Sequence, residues 1–215
     1  VTFDTLAGPL AALVTGYLLG SIPFGILLTR ATGAGDLRSI GSGNIGATNV
    51  LRTGRKGLAA LTLLLDALKG AAAIVIVRFA FPDEPQLDPL AAFGALIGHL
   101  YPLWLRFRGG KGVATFLGIL AALHWPIALA AAAVWLATLA LSRYSSLSGM
   151  TMALSAPVVA AVVGRFDLSL LLLGFALLIV WKHRSNLERL MSGTEPRVGK
   201  GGSGAAAAEA GGLDG

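Results

Sequence analysis

Long stretches of the chain carry no charged residue. Thr5–Thr29 runs for 25 residues, Gly112–Ser142 for 31, Tyr144–Gly164 for 21, Pro89–Leu105 for 17 and Leu168–Trp181 for 14. Leu58–Phe81 is a further apolar run, broken only by Asp66, Lys69 and Arg78. Roughly 20 apolar residues at 1.5 Å rise each cover the ~30 Å hydrocarbon core of a bilayer. The pattern predicts seven membrane-spanning segments, at 6–29, 58–81, 88–105, 112–124, 126–142, 147–164 and 167–183. A secretory signal peptide would account for the first alone, and that segment lacks the basic flank such a peptide needs.

The fourth segment is too short for a full crossing by length. Either Pro126 starts a new helix after His124-Trp125, or 112–142 is one span with a re-entrant piece. Length and pattern leave both open.

Composition agrees with the pattern. Of 215 residues 55% are hydrophobic and 13% charged, and the mean hydropathy is +0.75. A soluble domain carries roughly 25% charge. Cysteine is absent, which excludes disulfides, thiolate metal sites and cysteine nucleophiles. His99, His124 and His183 are scattered, and neither a helical H-E-x-x-H nor an EF-hand pattern occurs, so no metal or other cofactor is expected.

The net charge of +6 gains meaning once placed on the segments. On the seven-span reading, 14 of the 17 basic residues fall on one side: Arg30, Arg38, Arg52, Arg55, Lys56, Arg106, Arg108, Lys111, Arg143, Lys182, Arg184, Arg189, Arg197 and Lys200. The positive-inside rule makes that side cytoplasmic and puts the N-terminus outside. The basic residues are membrane-proximal and interleaved with glycine, without a stacking aromatic platform, which argues against nucleic acid. The chain reads as one membrane-embedded all-α bundle over 1–200 with a Gly/Ala-rich tail over 201–215 expected to be disordered.

The inner polar segments are richer than orientation requires. Arg30–Gly57 has 28 residues with seven glycines and two asparagines, too little apolar matter for a core of its own. Within it Gly41-Ser42-Gly43-Asn44-Ile45-Gly46 matches G-x-G-x-x-G, and Asp66 follows 20 residues on. No buried strand precedes it and Asp66 lies in an apolar helix, so the dinucleotide reading fails. The general chemistry survives: small residues let backbone N–H groups converge on an anion, Ser42, Asn44, Thr48 and Asn49 add neutral hydrogen bonds, and Arg52 adds a bidentate phosphate clamp. A glycine-rich turn before an ordinary helix is the plainer alternative.

Arg106-Phe107-Arg108-Gly109-Gly110-Lys111-Gly112 enters the next apolar segment with a lysine at a helix start, poor for the helix and good for a phosphate. Ser145 and Ser146 read most simply as N-caps. His183 and Asn186 share a helix face. His183 with Glu188 loosely matches an acyltransferase H-x4-D box. Asp66 and Lys69, three apart in a span, are expected to pair with each other or with polar groups inside the bundle.

Together, Gly20-Ser21-Ile22-Pro23-Phe24-Gly25, Gly41–Arg52, Gly98–Thr115, Tyr144-Ser145-Ser146 and His183–Glu195 resemble the bacterial acyl-phosphate:glycerol-3-phosphate acyltransferase family (PlsY type). The resemblance spans nearly the whole chain and implies seven spans with an outside N-terminus. It implies transfer of a fatty acyl group from acyl phosphate to the 1-hydroxyl of glycerol 3-phosphate, giving lysophosphatidate and phosphate without a cofactor. It also implies residence in the bacterial inner membrane with a cytoplasmic site, and a functional link to the enzyme that makes acyl phosphate. By motif, Ser42, Arg52 and Lys111 would clamp phosphate and stabilise transition-state charge. Gly43, Gly109, Gly110 and Gly112 would let backbone amides approach. Asn44, Thr48 and Asn49 would hold the loop or substrate hydroxyls. Ser145, His183 and Asn186 would complete the glycerol phosphate pocket, with His99 behind them or sharing a proton. A transporter of phosphorylated anions is the competing class; it requires a charged path across the bundle, and only Asp66 and Lys69 lie deep.

Overall fold

The computed structural model describes residues 3–199. The predicted tail, and Lys200 before it, lie outside the described residues. Among the described residues nine α-helices follow in order: α1 Phe3–Gly20, α2 Phe24–Ala31, α3 Ala47–Leu51, α4 Lys56–Ala80, α5 Asp88–Leu100, α6 Val113–Ser142, α7 Ser145–Val162, α8 Phe166–Lys182 and α9 Arg184–Met191. There is no strand among the described residues.

Each predicted segment contains a helix, but not each as predicted. The first is interrupted at Ser21-Ile22-Pro23, where Pro23 cannot donate to the helical ladder. The third is shorter than expected: α5 ends at Leu100, before Pro102, and a 3-10 turn at Leu103–Leu105 follows. α6 runs 30 residues but breaks at His124 (φ −162°, ψ 95°), two residues before Pro126. The dihedrals therefore favour two helical halves over one continuous span. By length and apolarity four helical stretches, Leu6–Ala31, α4, α6 and α7, are able to cross a membrane. The α8–α9 pair, bent by 60°, makes a fifth.

The bundle is inverted relative to a soluble protein. Phe79 and Leu141 are 84% and 89% exposed, on faces that suit hydrocarbon. The interior is built from Leu96, Phe116, Ile119, Ile127, Leu172 and Phe175, with Phe116 and Phe175 edge to face at 6.1 Å. Lipid tails are as apolar as leucine, so close backbone approach must hold the helices together. Gly16 and Gly20 of α1 face Ala91 and Ala95 of α5, while Gly94 and Gly98 of α5 face the backbone of Leu13, Tyr17 and Ser21. Gly118 of α6 packs on Ala67 of α4 in the same way. A side chain at Gly118 would collide with backbone, which cannot yield as a rotamer can. Gly118→Leu is expected to cost several kcal/mol, beyond the ~1–3 kcal/mol of ordinary overpacking. The check is the thermal midpoint in detergent, or failure to recover folded protein.

The glycine-rich segment before α4 has no core of its own, as expected, and packs instead against α4. Leu37, Val50 and Ala59 are buried together, because α3 brings Val50 over the first turns of α4. The two basic residues on the opposite side, Arg78 and Arg165, are paired with Asp88 and Asp167 at 2.6 Å each. Charge not neutralised locally is therefore concentrated at the other end of the bundle.

Candidate active site

A cavity of about 670 Å³ opens among the glycine-rich segment, the starts of α6 and α7, and the α8–α9 bend. Three helix N-termini meet there, since Gly46 to Thr48, Gly112 to Ala114, and Ser145 with Ser146 all line it. None of α3, α6 and α7 has a side-chain cap among the described residues. Unpaired N–H groups and the positive ends of the helix dipoles favour an anion in such a place.

Of the candidate residues, Ser42, Asn44, Thr48, Asn49, Arg52, His99, Lys111, Gly112, Ser145, His183 and Asn186 all line this cavity. Gly43, Gly109 and Gly110 do not. Their amides are already spent: Gly43 N–H donates to Ile40 O (2.9 Å), Gly109 N–H to Leu100 O (3.2 Å) and Gly110 N–H to His99 O (3.0 Å). Gly43 instead provides a turn at φ +66°. Gly109 and Gly110 let their loop lie against the end of α5, where a Cβ would strike backbone or the His99 ring.

Asn49 turns out to organise the loop. Its Nδ2 donates to Leu37 O and Ile40 O at 2.8 and 2.9 Å, and its Oδ1 accepts from Ser42 N–H and Arg52 Nη1, both at 3.3 Å. Asn44 Oδ1 accepts from Ile45 N–H at 3.0 Å. Thr48 and Ser145 share a hydroxyl hydrogen bond of 2.9 Å, tying this loop to α7. The N-cap reading of the serines fails. Tyr144 is the N-cap, and Ser146 Oγ donates to Glu195 Oε1 at 2.6 Å. Ser42 Oγ has no protein partner among the described residues, and Arg52 has one, so both retain capacity for a ligand.

Glu195 is the residue that sequence reasoning missed. Its carboxylate accepts from Ser146, from Asn186 Nδ2 (2.6 Å) and from Arg189 Nε (2.7 Å), joining α7 to α9. Burial alone would raise its pKa, but these three hydrogen bonds outweigh burial and hold it below the usual value. The only signal was an acid, one of two with Glu188, in a basic segment. Residues 195–199 also line the cavity, and Arg143 holds Val198 O through Nε and Nη2 at 3.2 and 3.0 Å.

Lys111 donates to Asn186 Oδ1. Burial lowers its pKa to about 8, with Arg189, Arg52 and Lys182 pushing the same way and Glu195 opposing. His183 caps α9 and is 2% exposed. Its Nδ1 lies 2.8 Å from Ile179 O, which only accepts, so Nδ1 carries the proton and Nε2 is left to act on a ligand. Glu188 is exposed on α9 and does not line the cavity, which ends the H-x4-D reading.

Residues 10–193 match the family described as glycerol-3-phosphate acyltransferase. The chain belongs to that family. It is 56% identical over 191 residues to the glycerol-3-phosphate acyltransferase of Rhodopseudomonas palustris (strain BisB5), covering 89% of this chain and 96% of that one. To the enzyme of Caulobacter vibrioides (strain NA1000 / CB15N) it is 54% identical over 190 residues, covering 88% and 87%. The fold is similar to a crystal structure of PlsY, an integral membrane glycerol 3-phosphate acyltransferase, in its glycerol 3-phosphate form. The TM-score is 0.83 at 38% identity, over 89% of this chain and 96% of that one. A lysophosphatidic acid form of PlsY superposes with a TM-score of 0.81 at 36% identity, over 88% and 94%. This chain is thus an integral membrane glycerol-3-phosphate acyltransferase, and the transporter reading is set aside.

Proposed function

We propose that the acyl donor is acyl phosphate, and that the product is 1-acyl-glycerol 3-phosphate released with inorganic phosphate. The observation that carries this reading is one cavity lined by Ser42, Arg52, Lys111 and three uncapped helix N-termini, enough donors for the phosphates of both substrates, with no serine bonded to a histidine among the described residues. Ser145 pairs with Thr48 and Ser146 with Glu195, while His183 Nδ1 is held by Ile179. A covalent acyl-enzyme needs a nucleophile with an adjacent base. A site that supplies only positioning and positive charge suits a donor whose leaving group is already good.

Direct attack by the glycerol 1-hydroxyl on the acyl carbonyl then forms a tetrahedral intermediate, and its collapse expels phosphate. Lys111, Arg52 and the α6 N-terminus stabilise the charge on phosphate and oxyanion. The hydroxyl proton passes to the departing phosphate or to His183 Nε2. The apolar exterior admits the alkyl chain from the bilayer. The concentration of unneutralised cations at the cavity end supports a cytoplasmic site in the bacterial inner membrane and, with about seven spans, an outside N-terminus. The enzyme that makes acyl phosphate is the expected supplier.

The test is purified protein with palmitoyl phosphate and glycerol 3-phosphate, with palmitoyl-CoA in parallel. Equimolar phosphate and lysophosphatidate are expected from the first donor. Product from the thioester alone would overturn the reading.

The Lys111 pKa gives a pH dependence with a definite sign. Only the ammonium form attracts a phosphate dianion, so kcat/KM for glycerol 3-phosphate should fall as pH rises through about 8. Bound phosphate favours the charged form, so the alkaline limb of kcat should lie at higher pH than that of kcat/KM.

A further inference from the structure

Asp66 and Lys69 sit where a membrane protein least tolerates charge, 3% and 4% exposed in the middle of α4. Lys69 Nζ donates to Asp66 Oδ1 at 2.6 Å and to Ile22 O, in the break between α1 and α2, at 2.7 Å. As a structural ion pair this arrangement would be complete. Yet Asp66 also faces His99 Nδ1 at 3.9 Å, and that nitrogen is buried without a hydrogen-bond partner among the described residues. Asp66 and His99 both line the active-site cavity.

His99 touches the catalytic loop twice. Its carbonyl accepts the Gly110 N–H at 3.0 Å, and its ring meets Gly110 by the Nε2 edge, where a Cβ would collide with Nε2 and come within 2.9 Å of Cε1 and 3.1 Å of Cδ2. Gly110 immediately precedes Lys111. A continuous line of contacts therefore runs from Ile22 through Lys69, Asp66, His99 and Gly110 to the lysine.

We propose that Asp66 is a positioning residue: held by Lys69, it orients His99, and His99, seated on Gly110, sets where the Lys111 amine meets the substrate phosphate. This rests on the reading that Lys111 holds the phosphate of glycerol 3-phosphate. A lysine on a flexible stem needs such support, because misplacement by about 1 Å is enough to cost on the order of 10²-fold in rate.

The decisive variant removes both charges, Asp66→Asn with Lys69→Met. Breaking one partner of a buried pair strands the other, whereas replacing both is tolerated. The double variant is expected to keep wild-type thermal stability in detergent. Its KM for glycerol 3-phosphate should rise on the order of tenfold with a smaller change in kcat, and the alkaline limb of its kcat/KM profile should be displaced. A stable double variant with wild-type KM and pH profile would overturn the proposal and leave the pair purely structural. Should that variant not fold, His99→Gln decides, since it leaves the ion pair intact and takes the ring off Gly110. A raised KM supports the proposal and an unchanged KM overturns it. Wild-type protein inactive in the same assay would instead count against the acyl phosphate reading.

Discussion

Lys111→Ala is expected to reduce lysophosphatidate formation by about 10²–10³-fold or more while the protein remains folded. The rate loss follows from removing a charged donor aimed at phosphate in a cavity shielded from water. The retained fold follows from the same burial. The folded state holds the Lys111 pKa near 8, below the value of about 10.5 of a free lysine, so it disfavours the ammonium form relative to the unfolded chain. Below pH 8 the charge opposes folding, and between about 8 and 10.5 that cost fades as the folded protein releases its proton first. At pH 7 removal of this charge offsets the loss of the Lys111–Asn186 hydrogen bond, and the alanine variant is expected to stay folded with a thermal midpoint close to wild type. Thermal denaturation and the acyl phosphate assay on one preparation check both halves. Normal activity in this variant would remove Lys111 from the mechanism.

Glu195→Ala is expected to fail in the opposite order, losing the fold first. The carboxylate satisfies Ser146, Asn186 and Arg189 at once, and it offsets the charge on Lys111. Arg189 is partly exposed and would be hydrated, but Ser146 and Asn186 are buried and would be left unpaired, at about 1–3 kcal/mol for each such group. Glu195→Gln, which keeps an acceptor oxygen but no charge, should be less damaged. The measurement is the thermal midpoint of each in detergent, with activity normalised to folded protein. A Glu195→Ala protein as stable as wild type would show that α7 and α9 are held together by something else.

These two residues mark how far the chain was legible. Lys111 announced itself by local chemistry, a lysine among glycines at the start of an apolar helix. Glu195 gave no comparable sign, because its partners lie as far as 49 residues away. The two serines show the same division. Their place after Tyr144 predicts helix capping, yet both hydroxyls are taken by residues from other segments. Gly109 and Gly110 read as glycines whose backbone amides approach substrate, yet those amides are bonded to the Leu100 and His99 carbonyls, and what lies against them is the end of α5.

The sequence by itself determined the solvent, the all-helical class and the anion-binding character of the polar segments. Hydrophobic runs, proline breaks and charge asymmetry act over a few residues, or through composition alone, so they can be read along the chain. The tertiary structure alone decided which donors remain free for substrate. It sealed the amides of Gly43, Gly109 and Gly110 with carbonyls, used Asn49 and Glu195 as ties, and left Ser42, Arg52, Lys111 and His183 around one cavity. The physical reason is that each buried polar group must find a partner. That partner is chosen by how the helices cross, which no local pattern records.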